Sequence, residues 1–80
     1  SEIISVYPNP CKDFVYIFFE NHSGSAVKVS ILNIEGKLIN QFEVTETPSY
    51  IYTNNLPSGV YIVKVFNSNG VLAAAKFIRQ

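Results

Sequence analysis

Across residues 60–66 nearly every position is β-branched or aromatic, with Tyr61, Val63 and Val65 alternating against Val60, Ile62 and Phe66 and only Lys64 interrupting the run. Successive side chains of a strand point to opposite faces, so a segment apolar on both predicts a strand in the middle of a sheet. Residues 14–19, a run of Phe, Val, Tyr and Ile, carry the same signature. Residues 26–34 alternate more cleanly, with Val27, Val29 and Ile31 facing in and Lys28 and Ser30 facing out. Weaker patterns predict four more strands. Residues 1–7 set Ile4 and Val6 against Ile3, Ser5 and Tyr7. Residues 37–44 put Leu38, Phe42 and Val44 on one side, with Asn40 marking exposure at one level of it. Residues 49–53 place Tyr50 and Tyr52 opposite Ile51, and residues 71–78 close the chain. The three alanines at 73–75 give that last segment helix propensity, but a tight hairpin before it favours an antiparallel return.

Turn chemistry separates these segments. Pro8-Asn9-Pro10 ends the first strand, because prolines cannot donate to a ladder, and so marks it as an edge. Asn33-Ile34-Glu35-Gly36 predicts a hairpin in which Gly36 supplies the positive φ, and Asn67-Ser68-Asn69-Gly70 predicts a second. Pro57, Ser58 and Gly59 fit the last three positions of a type I turn after Leu56. Tyr61 follows just inside the strand, where β-sandwiches place a corner tyrosine whose hydroxyl bonds back to upstream backbone. Seven short strands with turns every 8 to 12 residues predict an all-β fold, a seven-stranded antiparallel immunoglobulin-like sandwich.

Composition narrows the possible functions. Eighty residues allow a single domain, expected to span 1–80, and a chain this short buries only about 60 to 65 per cent of its unfolded surface, which leaves little for a deep active site. Six basic and six acidic residues give zero net charge, so no basic excess points to nucleic acid as a partner. The longest apolar run, residues 14–19, is strand-sized, and no membrane span is expected. The chain contains no methionine and is expected to be a piece of a longer product whose leader it would not show.

Candidate chemistry is sparse. Cys11 and His22 are the sole cysteine and histidine and lie in different loops; Cys11 is expected as a half-buried filler and His22 as a solvated loop residue. The acidic residues are scattered singly, without the pairing that glycoside chemistry needs or the clustering that holds calcium. Neither a metal nor a cofactor is implied, and an enzyme is not expected. Asn21-His22-Ser23 fits a glycosylation acceptor pattern that matters only in a eukaryotic secretory setting. Four tyrosines besides Tyr61 could line a sugar-binding face, but at strand spacing they are expected as core or cross-strand partners.

Four stretches in order, Val6-Tyr7-Pro8-Asn9-Pro10, Ile31 through Gly36 to Lys37, Leu56-Pro57-Ser58-Gly59-Val60-Tyr61 with the strand that follows, and Lys76-Phe77-Ile78-Arg79, resemble the type A C-terminal sorting domain of the type IX secretion system. The resemblance covers nearly the whole chain. It implies a sandwich at the end of a larger exported protein of a Bacteroidota bacterium. Such a domain carries its covalently joined N-terminal cargo from the periplasm across the outer membrane to the cell surface or medium. It is recognised by the translocon and its shuttle, and usually removed by a sortase that can anchor the cargo to lipopolysaccharide. Within that resemblance Lys76, Phe77, Ile78 and Arg79 are expected to be the recognition residues, on an accessible tail hanging from the last hairpin, with core filling as the alternative role for Phe77 or Ile78. Gly36, Gly59 and Tyr61 are expected to serve folding. The first and last strands, as edges, are the expected sites of self-association. A different reading from the same corner motif is an immunoglobulin- or fibronectin-like accessory module that binds glycan or protein or spaces domains.

Overall fold

Two packed antiparallel sheets are the framework of the residues that the computed structural model describes, namely 4–19, 26–45, 48–68 and 70–80. Among them are seven strands, β1 Ile4–Tyr7, β2 Phe14–Phe19, β3 Val27–Asn33, β4 Leu38–Val44, β5 Ser49–Tyr52, β6 Gly59–Asn67 and β7 Gly70–Arg79. One sheet runs β1-β2-β5 and the other β4-β3-β6-β7. The two segments apolar on both faces, β2 and β6, are interior strands of their sheets, as their composition requires. This is the expected immunoglobulin-like sandwich, with the fourth strand beside the third rather than on the opposite sheet.

The core forms where the inward rows meet. Val15, Ile17 and Phe19 of β2 and Ile51 of β5 pack against Val27, Val29 and Ile31 of β3, Tyr61, Val63 and Val65 of β6, and Phe77 of β7. The outward row of β2 stays apolar for a different reason. Antiparallel register sets Tyr7 opposite Tyr16, Phe14 opposite Tyr52 and Tyr16 opposite Tyr50. Their rings stack or meet edge-on at centroid distances of 4.8 to 5.5 Å. The tyrosines are thus cross-strand partners, on the outer face of the three-stranded sheet. Partial burial among these rings raises the Tyr50 pKa above the ordinary tyrosine value, with the hydrogen bond to Tyr52 adding to it.

The turns follow their sequence signals. Gly36 adopts a φ of 86°, its N–H donates to the Asn33 carbonyl at 2.9 Å, and the Asn33 side chain accepts from the N–H groups of Glu35 and Lys37. The corner is formed as expected, with the Tyr61 hydroxyl donating to the Pro57 carbonyl at 2.6 Å. Because Tyr61 is only 5% exposed, Tyr61→Phe should lower stability by about 1 to 3 kcal/mol, through a carbonyl left without its donor. Urea denaturation checks this, and an unshifted midpoint would show that the corner bond contributes nothing.

Several expectations need correction. Leu38 does not reach the core and is 49% exposed, because a bulge between Ile31 and Leu32 breaks the β3-β4 register and lets that end of β4 diverge. Ser30 faces outward yet is 5% exposed, covered by its neighbours on β4 and β6, with the Gln41 side chain donating to its Oγ at 2.9 Å. Cys11 is buried at 1% exposure rather than half-buried. Described strand bounds begin β1 at Ile4, end β5 at Tyr52 and extend β7 to Arg79. His22 and the acceptor pattern at 21–23 lie outside the described residues.

Candidate functional site

The last strand is not a hanging tail. From Gly59↔Arg79 to Asn67↔Gly70 it pairs with β6 along its whole length, and near its end the opposite edge is occupied too. The Pro8–Asn9–Pro10–Cys11 segment leaves β1 and crosses the flank of the sandwich to meet it. The Asn9 side chain donates to the Lys76 carbonyl at 3.3 Å and accepts from the Ile78 N–H at 2.9 Å. Cys11 then forms a parallel bridge at Arg79, its N–H donating to the Ile78 carbonyl and its carbonyl accepting from the Gln80 N–H, both at 2.8 Å. A short polar amide at position 9 can do this because it offers a donor and an acceptor together, as a backbone peptide does. So the edge of β7 expected to be open is closed over residues 76–80 and β1 lies close against β7, while β4 and β5 keep edges with no strand beside them among the described residues.

Arg79 fastens the same region from its side chain. Its Nε donates to the carbonyls of Lys12 and Thr53 at 3.0 Å, Nη2 to the Asn54 carbonyl at 3.2 Å, and Nη1 to the Gln80 carbonyl at 2.6 Å. The Thr53 hydroxyl donates to the Lys12 carbonyl at 3.0 Å and lies 3.6 Å from the Cys11 sulfur, and the Thr53 N–H donates to the Asp13 carbonyl. One guanidinium therefore ties the loops after β1 and β5 to the end of β7, using the several divergent donors that only arginine carries.

Alternation along β7 divides the four predicted recognition residues. Phe77 points inward, is fully buried and stacks on Tyr61 with centroids 5.5 Å apart, so core filling is the role its position gives it. Lys76 and Ile78 point outward, Ile78 being 46% exposed, and sit opposite Ile62 and Val60 of β6. Arg79 is half-buried in its hydrogen bonds. The structure thus joins Asn9 of the first motif to the terminal motif, while Gly36 lies at a separate turn, and Leu56, Pro57 and Gly59 lie at the corner beside Tyr61. Sequence reasoning missed Thr53 and the bridging role of Cys11; a lone buried polar residue and a lone thiol carry no spacing signal.

A hollow of about 220 Å³ between the sheets is lined by Ile31, Ile39, Ile51 and Leu56, with the amides of Asn40 and Asn55. Among the described residues no three His, Cys, Asp or Glu side chains gather in one place.

A family model described as a secretion system C-terminal sorting domain matches residues 5–80. No curated protein matches the chain.

Proposed function

The chain belongs to the family of type IX secretion system C-terminal sorting domains, and we propose that its export signal is the outward face at the end of β7, Lys76 and Ile78, together with Val60 and Ile62 of β6. A domain of this family is a secretion signal that sends its cargo out of the cell to the surface or medium, and the family is not one of enzymes. The match across residues 5–80 supports this function over that of an accessory binding module. In the finer reading, residues 1–80 act as one unit in the periplasm that the translocon and its shuttle recognise, and a sortase then removes. Self-association by strand addition would use the open edges of β4 or β5 rather than β1, which lies against β7, or the closed end of β7.

The observation that carries this is the alternation itself: Phe77 is buried while Lys76 and Ile78 on either side of it face solvent on a strand held at both edges. A receptor cannot pair with backbone that is already bonded, so it reads side chains on a fixed frame. Phe77 and Arg79 supply that frame. The test fuses the domain behind a signal-peptide-bearing passenger in a type IX-competent bacterium. The unmodified fusion should reach the surface or medium, and Lys76→Ser with Ile78→Ser should hold the passenger in the periplasm while the domain remains folded by circular dichroism and protease resistance. Normal delivery of that double variant would move recognition to another surface.

A further inference from the structure

Sheet register aligns three lysines that are far apart in sequence. On the outer face of the four-stranded sheet, Lys28 of β3 lies opposite Phe66 of β6, Lys64 of β6 lies opposite Ser30 of β3 and Ala74 of β7, and Lys76 of β7 lies opposite Ile62 of β6. Each lysine is one strand over and two residues along from the next, so the three form a diagonal row across β3, β6 and β7, with a step of about 8 Å from strand spacing and rise. All three are exposed. Glu43 is opposite Lys28 on β4, but no carboxylate stands opposite Lys64 or Lys76. A neutral chain with six cations and six anions could have interleaved them, and like charges on neighbouring strands weaken a sheet. The outer face of the other sheet presents Tyr7, Tyr16, Phe18, Tyr50 and Tyr52 instead, so the cationic row is confined to the face that carries Lys76 and Ile78.

We propose that the diagonal Lys28, Lys64 and Lys76 docks an extended acidic segment of the export machinery, a stretch of chain with carboxylates at alternate positions. Such a segment presents one carboxylate about every 6.6 Å, within reach of flexible lysine arms set about 8 Å apart, and the charges are complementary. The inference rests on the reading that the outward face of β7 is recognised, and extends that face two strands across, to residues 64 and 28.

The experiment uses the same passenger fusion. Lys28→Gln with Lys64→Gln should reduce surface delivery at least tenfold, whereas Lys28→Arg with Lys64→Arg should stay within twofold of the unmodified fusion. Lys64→Glu is the second variant, because it places an anion between Lys28 and Lys76. It should melt no lower than the parent yet lose delivery, which separates docking from stability. Carbodiimide joins amines directly to carboxylates, so treating envelopes of exporting cells at low salt should link Lys64 or Lys28 to an acidic peptide of an envelope protein. That link should fade as salt rises. Normal delivery of the glutamine pair or of Lys64→Glu overturns the acidic-segment inference; if Lys76→Ser with Ile78→Ser still blocks export, the recognition of the β7 face survives. If neither set blocks export, both fail. Loss of delivery without any carboxylate cross-link, but with binding to lipopolysaccharide vesicles, replaces the protein segment by a phosphate-bearing lipid and also overturns the inference.

Discussion

Replacing Phe77 with alanine is expected to lower stability by about 3 to 5 kcal/mol, the usual cost of truncating a fully buried phenylalanine. The ring is 0% exposed, among the largest of the fully buried side chains, and stacks on Tyr61 at an interplanar angle of 20°. Phe77 also pairs with Tyr61 in the β6-β7 ladder, so the cavity would open beside the corner. A domain of 80 residues has a total stability of roughly 4 to 12 kcal/mol, which makes the loss comparable to the whole. Urea unfolding followed by tyrosine fluorescence should show a collapsed midpoint for Phe77→Ala, partial recovery for Phe77→Leu, and a shift under about 1 kcal/mol for Ile78→Ala, whose side chain is half exposed. A Phe77→Ala midpoint within about 1 kcal/mol of the parent would mean that the ring does not fill the core. The result bears on export as well. Removing residues 76–80 takes out this ring and the bonded edge together, so a retained passenger would report unfolding before it reported loss of a signal.

What the sequence made legible was set by how local each cause is. β2 and β6 were recognisable as central because runs such as Val60 to Phe66 leave no polar face, and the hairpin at Gly36 and the corner at Tyr61 depend on residues within a few positions of one another. Leu38 was misplaced because its row is regular in sequence while the bulge that turns it outward arises from pairing with β3. Alternation puts Ser30 on the outer face, where it is, but its burial there comes from coverage by the flanking strands and the bond from Gln41, which no local pattern carries. The least legible feature was the closure at the end of β7. Asn9 meets Ile78 across 69 residues, and nothing in the composition of either segment announces the other. The ordered motifs placed both segments in one family without saying that they touch. The lysine row was hidden for the same reason, since it exists only after three strands have found their register.

Loss of the Arg79 guanidinium is expected to loosen the end of β7 before the rest of the sandwich. Charge removal at Lys76 and Arg79 together looks gentle from the sequence, but the two side chains differ: Lys76 is exposed on the outer face, whereas Arg79 holds carbonyls of Lys12, Thr53 and Asn54. Hydrogen bonds to a charged donor contribute about 1.5 to 3 kcal/mol each when buried. The half-exposed position of Arg79 and the shared Nε reduce the expected loss for Arg79→Ala to about 2 kcal/mol. Lysine should recover less than half of this, because a single ammonium on a flexible stem cannot span carbonyls that a planar fork reaches from one place. The local consequence is sharper than the global one. With Arg79 gone, the segment at 9–11 should peel from β7 before the sandwich unfolds, so hydrogen exchange at the Cys11, Ile78 and Gln80 amides should accelerate while Val63 and Val65 stay protected. Unchanged exchange at those three amides, with a midpoint shift below about 0.5 kcal/mol, would show that the bridge stands without the guanidinium. If exchange accelerates and passenger export falls although Lys76 and Ile78 are intact, the frame of the signal, and not only its exposed side chains, is what the export machinery requires.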